Sequence, residues 1–182
     1  MIQISVNNAE RIEELFKNAP IEAKKILWRA VNRAATAGRT RASVSIRKTY
    51  VIKAGDVKKS IKIRRASSSN ITANLRASGP TLPLMNFRVS PSFPDVMRVR
   101  ASVKKGGMKP IDKAFVTRTS NGFVNAFVRE GDARYPIKSL YGPSIAQMLG
   151  NENVLDTVLL RTKEVLDERT KHELDRYFKG GL

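Results

Sequence analysis

The 182-residue chain contains one imidazole, His172, and no cysteine, which removes thiolate nucleophiles and the usual thiolate metal sites. His172 lies between Lys171 and Glu173 in a highly charged stretch, where a solvated surface histidine accounts for it. Glu164, Asp167, Glu168 and Glu173 are interspersed with Arg169, Lys171 and Arg176, the pattern of ion pairs along a helix rather than of a metal site. Glu130 and Asp132 flank Gly131 and could hold a divalent cation in a turn, but ordinary turn chemistry explains the same residues. Gly106-Gly107 beside Lys104, Lys105 and Lys109 resembles a phosphate cradle; lacking the spacing and following helix of a Walker loop, it reads as a hairpin turn. The expectation is a non-enzyme with no catalytic residue, no metal and no cofactor.

Positive charge is the outlying property. Lys and Arg number 34 against 16 Asp and Glu, a net charge of +18. Residues 23–65 carry fourteen bases against Asp56 alone, or +13, and residues 66–150 add +8, whereas the two ends are close to neutral. The candidate contacts for an anionic partner are Arg29, Arg33, Arg39, Arg41, Arg47, Lys48, Lys58, Lys59, Arg64 and Arg65. A solvated face accounts for such a run equally well. Trp28 and Tyr50 stand only at its edges, so neutralisation of phosphates or of an acidic protein is better supported than base stacking. Signatures of zinc fingers, basic zippers and RNA-recognition modules are lacking, which argues against sequence-specific reading.

These side chains must be carried by regular elements. Ile2, Ile4 and Val6 alternate as in a short strand, and Asn7 with Glu10 suggests a capping box opening a first helix to about Asn18. Pro20 fits the first turn of a long second helix, whose stripe is Leu27, Ala30, Val31, Ala34, Ala35, Gly38, Ala42 and Ile46. The small residues from Ala34 to Ala42 predict close packing against a sheet or helix of the same chain, with a seam against another subunit as the alternative. Asp56 suits the start of a further helical turn. Strand alternation follows at Ile61–Ile63 and Ile71–Ala77 around a Ser67–Asn70 turn.

Four prolines between 79 and 95 predict a loop or exposed arm. A strand is expected from Met97 to Val103, and a hairpin around Ser120-Asn121-Gly122. Pro143 is placed to start a short helix through Leu149, ended by Gly150. A last helix from Glu152 turns Leu155, Val158, Leu159, Leu166, Leu174, Tyr177 and Phe178 to one side, before a frayed tail at 179–182. Together these predict one α+β domain over 1–182: an antiparallel sheet packed by a long helix in the N-terminal half and by a C-terminal helix. A chain of this length buries roughly 70% of its unfolded surface without disulfides. Lacking an apolar run of membrane-spanning length and a signal-peptide start, it reads as a soluble cytosolic product.

The order of several segments is similar to that of the prophage minor tail protein Z family. They are Trp28 to Ala34, Ile46 to Tyr50, Ile52 to Lys59, Val103 to Gly107, Ala114 to Val116, Phe127 to Gly131 and Pro136 to Ile145. The most specific stretch is Leu140-Tyr141-Gly142-Pro143-Ser144, a candidate structural motif. The resemblance implies a tail-completion or head-tail joining role at the head-proximal end of a phage tail, in the virion tail after assembly in the host cytoplasm. Implied partners are other tail or neck proteins, including tail tube and terminator, with a homo-oligomer closed as a ring suiting a tube. It implies no catalytic residues. The alternative function is nonspecific nucleic-acid binding through residues 23–65, and no membrane partner is expected.

Overall fold

A computed structural model describes residues 2–4, 21–94 and 96–179. The expected first helix, Pro20 and the tail beyond Lys179 lie outside the described residues. Helix α1, Ile21–Thr49, runs 29 residues, about 43 Å at 1.5 Å per residue. Its predicted stripe is buried throughout: Val31, Ala34, Ala35, Ala42 and Ile46 have no exposed surface. On one side it packs against the other long helix, α4 (Glu152–Phe178), and on another against a sheet formed by β1 (Ile2–Ile4), β3 (Ala73–Ala77) and β2 (Ile61–Arg64), in that order. The small-residue stripe is therefore filled from within the chain. Helix α2, Ala54–Ser60, precedes β2, with Asp56 in its first turn and Val57 buried.

The remaining strands are short and antiparallel. β6 (Val96–Met97), β9 (Ala114–Arg118), β10 (Val124–Arg129) and β11 (Ile137–Ser139) form a four-stranded sheet in the order β11-β10-β9-β6. β5 (Arg88–Ser90), β7 (Arg100–Ser102) and β8 (Lys109–Pro110) form another, and β4 (Leu82–Pro83) pairs with β12 (Tyr141–Gly142). The expected α+β class and antiparallel pairing hold, with strands divided among small sheets instead of gathered in one. A continuous core links Ile46 and Val57 with Leu75, Val99, Val116, Ala126 and Met148.

Three expectations are corrected. The strand predicted from Met97 to Val103 is two strands in different sheets, because Arg98 adopts φ 64° and re-aims the chain between them. The 79–95 stretch is not an arm over its central part: β4, a 3-10 turn at Leu84–Asn86 and β5 anchor it, with Leu84 and Phe87 buried. Prolines limit the ladder there without preventing burial of the apolar residues between them. Pro143 does not open the short helix α3 (Ile145–Leu149); Ser144 is its N-cap, making a capping box with Gln147, and Pro143 precedes that cap.

Register between β2 and β3 is decided by burial. Ser67 and Asn70 exchange backbone hydrogen bonds, yet the ladder resumes with Arg64 opposite Asn74, so two residues on one side face three on the other. The extra residue lets Ile61 and Ile63 share the inner face with Ala77 and Leu75. Ala66, left out of the ladder, gives both backbone groups to the Asn32 amide, each bond 2.9 Å long.

Candidate functional site

The structure divides the predicted basic run between two surfaces. At about 100° per residue, Arg29, Arg33, Thr40 and Arg47 fall within roughly 40° of arc on α1, and all four are exposed. They form a ridge about 27 Å long from Arg29 to Arg47. Beside it, Arg33 and Arg41 line a groove of about 530 Å³ between α1 and α4, facing Arg161, Glu168 and Arg169. Arg161 is neutralised locally: it bonds Glu164 at 2.9 Å and approaches Glu168 at 3.8 Å. Its hydrogen bond to the Glu164 carboxylate raises its pKa above the ordinary arginine value. Thr36 and Thr40 spend their hydroxyl protons on backbone oxygens four residues earlier, leaving guanidinium groups as the groove's donors. The Arg41 Nε is shut away from solvent without a hydrogen-bond partner.

Arg39 belongs to the other surface. Its guanidinium donates to the Lys58 carbonyl at 2.8 Å, tying α1 to α2. From there Lys58, Lys59, Arg64 and Arg65 stand exposed. They are joined by Lys62 and by Arg76, which lies opposite Lys62 on β3. Lys48 is exposed at the end of α1. Arg76, Arg161 and Arg169 fall outside the candidate contacts for an anionic partner named from the sequence, where Arg169 is read only as a helical ion-pair partner. Arg76 had a sequence signal in its alternation with Leu75, whereas the two α4 arginines meet α1 only through tertiary packing.

The Leu140–Ser144 stretch is a joint between sheets. Ser139 ends β11 and Tyr141 begins β12, so Leu140 carries the chain from one sheet to the next. Its carbonyl accepts from the Leu84 N–H at 3.0 Å and from the Asn125 amide at 2.8 Å, and its N–H donates to Ala126 at 2.9 Å. A side chain at Gly142 would overlap the Phe87 ring, and Ser144 caps α3. Asn125, fully buried, also accepts from the Met85 N–H and donates to the Ser139 hydroxyl. Sequence reasoning misses that asparagine, since its alternation in β10 reads like any other position.

His172 is exposed on α4, and Glu130 and Asp132 lie in an exposed loop. Among the described residues no group of three or more His, Cys, Asp or Glu is placed to hold a metal ion. No described helix is long and apolar enough to cross a membrane.

Charge is displayed on a helical ridge and on a sheet, over a core built from short antiparallel strands and two long helices. The family model for prophage minor tail protein Z matches residues 7–180, and the chain belongs to that family. It is accordingly a structural protein of a phage tail, located in the virion tail and in contact with other tail proteins. No curated protein and no solved structure matches the chain.

Proposed function

We propose that the protein completes the tail at its head-proximal end, joining it to the neck beside tail-tube and terminator proteins. The observation that carries this reading is the family match across residues 7–180, nearly the whole chain. In this reading residues 1–182 act as one domain, closed into a homo-oligomeric ring after assembly in the host cytoplasm, and the work is assembly, not catalysis. The ridge of Arg29, Arg33 and Arg47 supports it with a straight row of exposed cations suited to an acidic neighbour. Leu140 to Ser144 serve as the brace that keeps the sheets in fixed relation to α3 and α4.

The test is a phage carrying Arg29→Ala, Arg33→Ala and Arg47→Ala together. Heads and tails should accumulate unjoined, with each part normal by electron microscopy. Infectious particles at normal yield would remove the ridge from the contact surface.

A further inference from the structure

On the solvent face of β2 and β3, Lys62 stands directly opposite Arg76. Side chains so placed lie about 4.5–5.5 Å apart at Cβ, and like charges there are destabilising. Arg64 follows on the same face about 7 Å along the strand. The reversing loop adds Arg65 and the exposed polar residues Ser67, Ser68, Ser69 and Asn70, and α2 adds exposed Lys58 and Lys59. From Val57 to Pro94 the sequence contains neither Asp nor Glu.

The composition of this face discriminates between its possible partners. A protein-protein interface has an apolar, often aromatic, centre. Exposed large apolar side chains such as Leu160, Tyr135 and Tyr141 all fall outside residues 53–78. Cations mixed with Ser and Asn, without an exposed ring for stacking, match the groups that contact a phosphodiester backbone. The face is one side of the three-stranded sheet β1-β3-β2, not a free helix or a free two-stranded ribbon of the kind that enters a major groove.

We propose that the Lys62, Arg64 and Arg76 face, flanked by Lys58, Lys59 and the 65–70 loop, binds the phosphate backbone of double-stranded DNA without reading its sequence. This deepens the tail reading by giving one face of the tail component the genome as its polyanion. DNA binding can fail in solution while the chain still localises to tails, so the two are separable.

The full chain is titrated by fluorescence anisotropy with two duplexes of unrelated sequence, over about 50 to 200 mM salt. Equal affinity for both duplexes is expected, falling steeply with salt. Lys62→Gln, Arg64→Gln and Arg76→Gln together should weaken binding about tenfold or more. The same triple variant should reduce the log-log salt slope by about 2–3, since each phosphate that is no longer neutralised lowers it by about 0.9. Arg118→Gln, Arg134→Gln and Lys138→Gln remove equal charge from another exposed region and should change affinity less than about twofold. On the wild-type protein, DNA should slow acetylation of the Lys62 amine, a readout independent of how the variants fold. Equal loss in the two triple variants, no binding by wild type at low salt, an unprotected Lys62, or tighter binding of polyglutamate than of DNA would each overturn the proposal.

Discussion

Gly38 on α1 faces Thr162 on α4 so closely that a Cβ added at position 38 would lie 2.5 Å from the threonine Oγ1. The hydroxyl cannot swing aside freely, because it donates to the Val158 carbonyl at 2.7 Å and Thr162 is buried. Ala is the better helix former by about 1 kcal/mol, but overpacking costs about 1–3 kcal/mol. Gly38→Ala should therefore destabilise the fold, lowering the denaturant midpoint. Thr162→Ala in the same chain should recover most of the loss by removing the clashing oxygen. A midpoint at or above wild type for Gly38→Ala alone would mean that the helices have room to separate.

Asn125 satisfies three groups from two segments with one amide, bonding Met85 in the 3-10 turn and the adjacent Ser139 and Leu140. Replacing it with Ala takes the partner from the Met85 N–H and the Ser139 hydroxyl, while the Leu140 carbonyl keeps its bond from the Leu84 N–H, at about 1–3 kcal/mol for each group stranded. The variant should melt well below wild type, with faster hydrogen exchange at the Met85 amide. Unchanged exchange there would show that the amide does not hold the 3-10 turn onto the sheet.

The Lys62–Arg76 juxtaposition predicts a gain from charge reversal. Arg76→Glu should stabilise the isolated protein by about 0.2–1 kcal/mol, in a buffer of low ionic strength. The gain should shrink as salt rises past physiological strength, where the screening length is about 8 Å. Thermal melts across a salt series measure both effects; a loss of stability at low salt would contradict the cross-strand geometry.

Ser144 and Gln147 cap α3 reciprocally, at 3.2 Å and 2.8 Å. Ser144→Ala should cost about 0.5–2 kcal/mol, whereas Ser144→Asp, which retains an acceptor, should cost less. Equal losses for the two in denaturant unfolding would remove capping as the role of this position.

Elements with a dense local code were legible in the sequence. The α1 stripe from Leu27 to Ile46 is buried as its period predicts. The hairpin closes at Ser120-Asn121-Gly122, with Gly122 at φ 83° and Thr119 bonded to Phe123 across the turn. Elements decided by distant contacts were not. Thr162 is buried on α4 while Leu159 and Leu160 are exposed, because the helix turns Val154, Val158, Thr162 and Val165 inward toward a small-residue groove. A stripe chosen by side-chain hydrophobicity passes over a threonine whose hydroxyl is satisfied within its own helix. The basic run is continuous in sequence, yet Arg39 points to α2 and Arg41 to α4, two positions about 160° apart on the helix by the shorter arc. No local pattern separates the two surfaces until β2, β3 and α4 have been docked on α1.

Placement at the head-proximal end of the tail is tested most directly by immunogold electron microscopy of purified particles, with label directed to this protein. The account predicts gold at the junction between tail and head, in a few copies per particle. Protein recovered only free in the lysate, with particles unlabelled, would contradict it.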